Sequence, residues 1–300
     1  MAIYGFIGTG NMGSAMSRAA RRALSGQEVL LANRTPAKAE ALARELDCRV
    51  GSNADVAQEA DYIFLGVKPQ MMAEMLAGIA PVLAQRKSRF ILVSLAAGLT
   101  MSRLQELAGG NYPVMRILPN TPAAIGAGMV FYTMGPDISD AEAHDFLDTM
   151  SGAGRFAPLP EHLIDAGSSV AGCGPAFAAM FLEALADGGV ACGLSRADAR
   201  TFAAQMMLGT AQLALTSNQH TGALKDAVCS PGGSTIQGVR VLEEAGFPRC
   251  RDGRGHCRLG KERRSGQIIP AGRKKTLRPV FYSFPFTKHE TGAEAKLPPR

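Results

Sequence analysis

The stretch Ile3-Tyr4-Gly5-Phe6-Ile7-Gly8-Thr9-Gly10-Asn11-Met12-Gly13 decides the fold of this 300-residue chain. An apolar run of strand length leads directly into a GxGxxG sequence, and a helical pattern follows it. Glycines at these positions permit a tight turn, close approach of the backbone to a pyrophosphate, and close helix-to-strand packing. The helix N-terminus favours an anion through its free N–H groups and its dipole. We therefore expect residues 8–13 to bind a dinucleotide; a merely glycine-rich turn is the alternative.

Short β-branched or aromatic runs alternate with Ala-rich helical segments from residue 1 to about residue 160. The predicted strands are Ile3–Ile7, Glu28–Ala32, Tyr62–Val67, Phe90–Ser94, Val114–Ile117, Met129–Thr133 and Arg155–Pro158. The predicted helices are 12–24, 36–46, 70–85, 100–109 and 139–150. Continuous apolar strands are typical of a parallel sheet that is covered on both faces. The pattern predicts an α/β fold with an N-terminal Rossmann-like, doubly wound sheet over residues 1–160.

The strand pattern stops after Pro160, and helical spacings of Ala, Leu and Met continue through 163–193 and 195–216. The first long helix, which contains Phe177 and Phe181, is apolar nearly all round. Such a helix must be covered by other helices or by another subunit. Residues 161–247 are therefore predicted to form an all-helical dimerisation domain, and the protein to form a dimer or a higher homo-oligomer.

The composition is that of a globular chain, with 46% hydrophobic and 19% charged residues. Uninterrupted apolar runs such as 90–97 are far shorter than the ~20 residues of a membrane span, and no basic leader precedes the first strand. We expect a cytoplasmic protein with no signal peptide and no membrane partner. Six scattered cysteines without a CxxC pair predict neither disulfides nor a metal site.

The net charge of +6 is confined to one end of the chain. Residues 249–300 hold 14 Lys or Arg against 4 Asp or Glu, whereas residues 1–248 hold 18 against 22. The body of the protein is thus mildly acidic. We expect no nucleic-acid partner, because such a basic arm would need aromatic interleaving or an ordered basic face, and the segment has no helical or strand periodicity that would order it.

The end of the second predicted strand indicates which dinucleotide binds. An NAD site usually carries an acidic residue about 20 positions beyond the glycines, but this chain has Asn33, Arg34 and Thr35. A guanidinium and two small polar groups suit the 2′-phosphate of NADPH, with NADH as the weaker cofactor. The alternative is that Arg34 is a solvated charge at a helix start.

Two further strand ends extend the expected cofactor site. They contribute Val67, Lys68 and Pro69 after one strand, and Ala96, Ala97 and Gly98 after the next. Ligands of open α/β sheets bind outside the carboxyl ends of strands. Small residues there let a nicotinamide ribose lie against the backbone, and Lys68 is expected to contact ribose or solvent rather than act in catalysis.

A second constellation lies in the helical region. Gly174 and Pro175 open the long helix, and a Ser-Pro-Gly-Gly loop at Ser230–Gly233 precedes another helix. Consecutive backbone N–H groups and hydroxyls at a helix N-terminus can bind a carboxylate. A plain interhelical turn capped by Ser230 or Ser234 is equally reasonable from local physics.

The ordered motifs GFIGTGNMG, LGVKPQ, SLAAG, RILPNTP, AGCGPAF and LKDAVCSPGGSTI resemble the pyrroline-5-carboxylate reductase family over about residues 1–247. The resemblance implies NADPH-dependent reduction of 1-pyrroline-5-carboxylate to L-proline, the final step of proline biosynthesis, by an enzyme whose helical domain interlocks with a partner subunit. It places the cofactor on Gly8, Thr9, Gly10, Asn11, Met12, Gly13, Asn33, Arg34, Asn53, Val67, Lys68, Pro69, Ala96, Ala97 and Gly98.

The resemblance also implies where the substrate binds. Its carboxylate is expected at the N–H groups of Gly232, Gly233, Ser234 or Thr235, and the Thr235 hydroxyl is expected near the ring nitrogen. A non-catalytic NADPH-binding or regulatory protein and a β-hydroxyacid dehydrogenase-like enzyme remain as alternatives. Absence of a lysine on the long helix near Gly174 counts against the dehydrogenase.

The segment 248–300 departs from the family pattern at Pro248. It is basic, has no helical or strand periodicity and is predicted to be disordered. Removal of one base from the Pro248 codon, with synonymous codons chosen freely, can give RAAVMDAVIAAWEKSGE, an amphipathic helix of the type that ends the family. Our hypothesis is that the segment is a frameshift product.

We predict that truncation after Phe247 changes activity little, whereas restoring the shifted-frame helix raises the melting temperature and stabilises the oligomer. The restored helix would cover apolar surface of the helical domain. Activity assays, thermal melts and the codons around Pro248 test this prediction. Codons that cannot encode the shifted helix would contradict the frameshift hypothesis.

Overall fold

A computed structural model describes residues 2–247 of the chain, and its N-terminal part is built on one eight-stranded sheet. The strands are β1 (Tyr4–Ile7), β2 (Val29–Ala32), β3 (Arg49–Val50), β4 (Tyr62–Leu65), β5 (Ile91–Ser94), β6 (Val114–Leu118), β7 (Gly128–Met134) and β8 (Gly154–Pro158). Their order is β3-β2-β1-β4-β5-β6-β7-β8. Because β1 pairs in parallel with both β2 and β4, the direction of winding reverses beside β1. Open α/β sheets bind ligands at this point.

Eleven α-helices occur within residues 2–247. Six belong to the sheet region: α1 (Asn11–Ala20), α2 (Pro36–Leu46), α3 (Asn53–Glu59), α4 (Met72–Gln85), α5 (Met101–Ala108) and α6 (Asp140–Met150). Five follow the last strand: α7 (Glu161–Ala171), α8 (Gly174–Ala191), α9 (Arg196–Thr216), α10 (Thr221–Ala227) and α11 (Ser234–Glu244). A Rossmann-like sheet followed by a helical region is the predicted fold class, which is confirmed.

The sheet is buried on both faces by two separate apolar clusters. Alternate strand residues face opposite sides, so Phe6 packs with α1, α2 and α6, whereas Ile7 packs with α3, α4 and α5. Each strand from β1 to β6 is buried at every residue except those of the short edge strand β3. This double coverage explains the continuous apolar runs in the sequence.

An aromatic cluster joins α6 to the middle of the sheet. The rings of Tyr4 and Tyr62 stack with centroids 4.6 Å apart, and Phe146 from α6 lies 5.5 Å from Tyr62 and 5.9 Å from Phe64. Burial raises the pKa of Tyr62 to about 12, and its hydroxyl donates a hydrogen bond to the backbone oxygen of Glu142. The cluster therefore anchors α6 by both ring packing and a hydrogen bond.

The structure differs from the predicted elements at three places. β3 and α3 were not predicted, because a two-residue strand and a seven-residue helix are too short to show a period. β7 runs antiparallel to β6, although the sequence indicated a parallel sheet. The connection between them holds only a 3-10 helix, Thr121–Ile125, and a parallel crossover needs a dozen or more residues.

The described chain divides into two compact units, residues 1–177 and the residues that follow. Helix α7 lies in the first unit because it packs on β7 and its carboxylates pair with Arg116 of β6. The division predicted at residue 160 was drawn where the strand pattern stops and stays a prediction. The predicted tail, 248–300, lies outside the described residues.

The helical stretch 161–191 is the one part of residues 2–247 that is long and apolar enough to cross a membrane by length and composition. Charged residues such as Asp165 and Glu183 interrupt this stretch, so it does not stand out in the sequence as an uninterrupted apolar run. Such a single helix is weak evidence, and the expectation of no membrane partner stays a prediction.

We predict that Phe146→Ala lowers the free energy of unfolding by about 3–5 kcal/mol, because the ring is fully buried among other aromatic rings. Urea unfolding followed by circular dichroism measures this change. The control is Ile125→Ala, since Ile125 is 78% exposed and its loss is expected to cost less than about 0.5 kcal/mol. Equal effects of the two substitutions would show that the cluster does not anchor α6.

Candidate functional site

The glycine loop between β1 and α1 is shaped by close backbone contacts. Gly8 has φ of 99°, a conformation that side chains other than glycine rarely adopt. A Cβ at Gly13 would overlap the carbonyl oxygen of Gly8, and a Cβ at Gly66, after β4, would lie 2.5 Å from the same oxygen. The first turn of α1 and the residue after β4 therefore both lie in close contact with Gly8. This agrees with the expectation that the glycines of this loop permit close packing of helix and strand.

The same loop leaves donors and space for an anion. The Thr9 hydroxyl is buried and makes no hydrogen bond within residues 2–247. A Cβ at Gly10 would meet nothing within 4 Å, and Gly10 caps α1 without a side-chain bond. The first N–H groups of α1 therefore have no intrahelical partner. An unpaired hydroxyl, free N–H groups and open space fit the pyrophosphate of a dinucleotide.

Asn33 ties the end of β2 to the glycine loop. The Thr9 N–H donates to Asn33 Oδ1 at 3.2 Å, and Asn33 Nδ2 donates to the Thr35 carbonyl oxygen at 3.0 Å. Arg34 is exposed and makes no hydrogen bond or ion pair within the described part of the chain. Its guanidinium is therefore available to a ligand, as a residue that reads a 2′-phosphate must be.

The remaining predicted cofactor residues lie at the same edge of the sheet. Asn53 begins α3 after β3, Lys68 and Pro69 begin a 3-10 helix after β4, and Ala96–Gly98 follow β5. Since β3, β2, β1, β4 and β5 are parallel neighbours, their carboxyl ends share one edge. Val67 is half-buried and Lys68 is exposed. The structure thus brings the predicted cofactor residues to one edge.

The loop before α11 presents a second anion-binding geometry. Gly233 caps α11 without any side-chain bond, so neither Ser230 nor Ser234 acts as the cap. Gly232 has φ of 68°, and the Gly233 N–H donates to the Ser230 carbonyl oxygen at 3.0 Å. The Gly233 N–H is therefore engaged, and the N–H groups of the first turn, including those of Ser234 and Thr235, have no intrahelical partner.

Gly174 and Pro175 open α8, as expected, and they belong to the first unit, whereas residues 230–235 belong to the second. Thr235 is exposed on the first turn of α11. The glycines at the start of α8 and before α11 thus lie at helix N-termini, as predicted. The assignment of individual residues to the substrate stays a proposal.

Sequence reasoning missed three charged residues beside the cofactor edge: Arg116 on β6 and Glu161 and Asp165 on α7. Arg116 is a lone cation within the buried strand Val114–Leu118. A single arginine in an otherwise apolar strand was the signal in the sequence that could have identified these residues. A buried guanidinium requires charged or hydrogen-bonding partners, and carboxylates are the usual ones. Within residues 2–247 no three His, Cys, Asp or Glu side chains are placed to hold a metal ion.

The fold and the glycine loop define a dinucleotide-binding protein of the oxidoreductase class, with a helical second unit. A family model described as pyrroline-5-carboxylate reductase dimerisation matches residues 161–251, and one described as NADP oxidoreductase coenzyme F420-dependent matches residues 3–98.

Named relatives agree with the family models. The pyrroline-5-carboxylate reductase of Escherichia coli (strain K12) is 40% identical over 247 residues, which cover 81% of this chain and 90% of that protein. The Plasmodium falciparum pyrroline carboxylate reductase with NADP bound matches with a TM-score of 0.74 at 28% identity, over 83% of this chain and 92% of that chain. The 1-pyrroline-5-carboxylate reductase of Streptococcus pyogenes matches with a TM-score of 0.74 at 29% identity, over 83% of this chain and 93% of that chain. The chain belongs to the pyrroline-5-carboxylate reductase family.

We predict that Arg34→Asp weakens NADPH about 10- to 150-fold and spares NADH, because a charge-assisted bond to the 2′-phosphate contributes ~1.5–3 kcal/mol. Steady-state kinetics with each cofactor measure the two effects. Arg44→Asp, the same change at the opposite end of α2, is the matched control and should alter neither. An equal loss with both cofactors would show that Arg34 does not bind the 2′-phosphate.

Proposed function

We propose that the protein reduces 1-pyrroline-5-carboxylate to L-proline with NADPH, as the final step of proline biosynthesis. The observation that carries this proposal is the 40% identity to a pyrroline-5-carboxylate reductase over 247 residues. The reaction adds a hydride to the C=N carbon and a proton to the nitrogen. Membership of the family also favours the reductase over the regulatory and dehydrogenase alternatives.

The N-terminal unit provides the cofactor side of the reaction. Bound NADPH supplies the hydride. The N–H groups at the start of α1 and the Thr9 hydroxyl bind the pyrophosphate, and Asn33 holds the loop against the end of β2. Arg34 binds the 2′-phosphate, with Thr35 and Asn53 beside it. Val67–Pro69 and Ala96–Gly98 bind the nicotinamide half through backbone and small side chains.

The loop before α11 provides the substrate side. The free N–H groups of Ser234 and Thr235 bind the carboxylate, and Ser230 and Gly232 shape the turn that exposes them. The Thr235 hydroxyl hydrogen-bonds the ring nitrogen of the substrate. We also assign Gly174 and Pro175, at the start of α8, to substrate binding. This arrangement holds the imine in one orientation, which is the main requirement for transfer to a fixed donor.

The reaction needs little acid-base chemistry from the chain, because a protonated cyclic imine is already electrophilic at carbon. We assign no catalytic role to His220. Its Nδ1 accepts a hydrogen bond from the Gly222 N–H at 3.1 Å, and the side chain thereby caps α10. Its ring is therefore used at a helix end. Orientation by Thr235 is the one direct contact with the reacting group that we assign to a side chain.

We further propose a cytoplasmic homo-oligomer that contacts neither nucleic acid nor membrane and is divided at residue 160 into cofactor and dimerisation domains. A dimerisation family model matches residues 161–251. Phe177 and Met180 of α8 are 56% and 59% exposed, and Phe202 and Leu213 of α9 are 56% and 52% exposed. Apolar exposure on this scale supports burial against a second copy of the chain.

The first test is NADPH consumption that depends on 1-pyrroline-5-carboxylate, with L-proline identified by amino-acid analysis. Consumption without proline, or no consumption, would contradict the proposed function.

We predict that Thr235→Val lowers turnover of 1-pyrroline-5-carboxylate about 5- to 150-fold and leaves NADPH affinity nearly unchanged. The substitution removes one hydroxyl from the substrate end, and an unpaired polar partner costs ~1–3 kcal/mol. Thr221→Val, also in the first turn of a helix, is the matched control. Unchanged kinetics in Thr235→Val would place the substrate elsewhere.

A further inference from the structure

A buried guanidinium lies beneath the loop that follows β5. The Arg116 side chain is only 2% exposed, and its two terminal nitrogens each form an ion pair with α7. Nη1 lies 3.1 Å from Glu161 Oε1, and Nη2 lies 3.3 Å from Asp165 Oδ1. A buried cation with two charged, hydrogen-bonded partners has a fixed position, since loss of either partner leaves part of the buried charge uncompensated.

The same two carboxylate oxygens also bind the backbone of the loop. Asp165 Oδ1 accepts a hydrogen bond from the Gly98 N–H at 3.3 Å, and Glu161 Oε1 accepts one from the Met101 N–H at 2.7 Å. Gly98 and Met101 are the two ends of the segment that leads from the cofactor edge into α5. Each oxygen therefore joins the guanidinium to one end of this segment.

The Gly98 end of this segment needs such support because it lacks packing of its own, whereas Leu99 and Met101 pack against the apolar cluster on that face of the sheet. Ala97 and Gly98 are exposed, and a Cβ at Gly98 would meet nothing within 4 Å. Gly98 has φ of 73°, which only glycine adopts without strain. Its backbone position is thus set by hydrogen bonds rather than by packing, and within residues 2–247 the Gly98 N–H is bonded to Asp165.

We propose that Arg116, acting through Asp165 and Glu161, is the positioning residue that sets the backbone of residues 98–101 and thereby the nicotinamide half of the cofactor site. This inference rests on the proposed function, which places Ala96–Gly98 against the nicotinamide half. In this proposal none of the three residues touches the cofactor or the substrate. They act by holding the loop that does.

The test compares two ligands by calorimetry: NADP⁺, and adenosine 2′,5′-bisphosphate, which lacks the nicotinamide half. Asp165→Ala is expected to weaken NADP⁺ about two- to tenfold, the range for one net hydrogen bond, and to leave the bisphosphate unchanged within twofold. The double change with Glu161→Ala should enlarge only the NADP⁺ effect. Asp148→Ala is the matched control, because within residues 2–247 the Asp148 carboxylate pairs only with His144, at the surface.

Arg116→Lys keeps the charge but replaces two terminal nitrogens, one for each carboxylate, by a single nitrogen, and it should reproduce the selective loss. If Arg116→Lys does not fold, Asp165→Ala and the double variant with Glu161→Ala still test the proposal. Equal weakening of both ligands by Asp165→Ala, or no weakening of either, would overturn the proposal, because a general loss of stability does not discriminate between halves of one ligand. Failure of the unchanged chain to bind NADP⁺ would instead contradict the proposed function, and this inference with it.

Discussion

The contact between backbones at Gly8 is the constraint on which the rest of the cofactor edge depends. The first turn of α1 and the end of β4 both approach the Gly8 carbonyl oxygen so closely that a Cβ at Gly13 or Gly66 would overlap it or nearly so. This contact places the N-terminus of α1 directly over the end of β1. The first N–H groups of α1 then follow Gly10, where a Cβ would meet nothing within 4 Å, and the neighbouring Thr9 hydroxyl is buried without a hydrogen-bond partner within residues 2–247.

The two proposed anion sites begin at the same kind of helix end. Both are helix N-termini that lack a side-chain cap, at Gly10 for α1 and at Gly233 for α11. A capping side chain would satisfy the donors that a ligand needs. In α3, α5, α6 and α9, by contrast, a Ser or Thr side chain caps the N-terminus. Helices α2, α4 and α7 also begin without a side-chain cap bond. What distinguishes the two proposed sites is the open space at Gly10 and Gly232, where a Cβ would meet nothing within 4 Å.

Most elements of the N-terminal unit could be predicted because their patterns are local. β1, β2, β4 and β5 are continuous apolar runs, and α2 and α6 have clear helical periods and boundaries within one residue of those observed. β3, with two residues, and α3, with seven, have no such pattern. The direction of β7 depends on the length of one connection rather than on its own residues, and it was read wrongly for that reason.

The sequence by itself determined the class of fold, the glycine loop, the absence of an acidic residue at position 34 and the family. Each of these is a matter of residue type at a short spacing, which needs no knowledge of distant contacts. Only the tertiary structure decided that Arg116 pairs with Glu161 and Asp165, 45 and 49 residues away along the chain. It also decided that the Gly233 N–H is engaged and those of Ser234 and Thr235 are free. The Arg116 pairs join elements that are remote in sequence, and the state of the Gly233 N–H depends on the backbone angles of one turn. A local sequence pattern predicts neither of these.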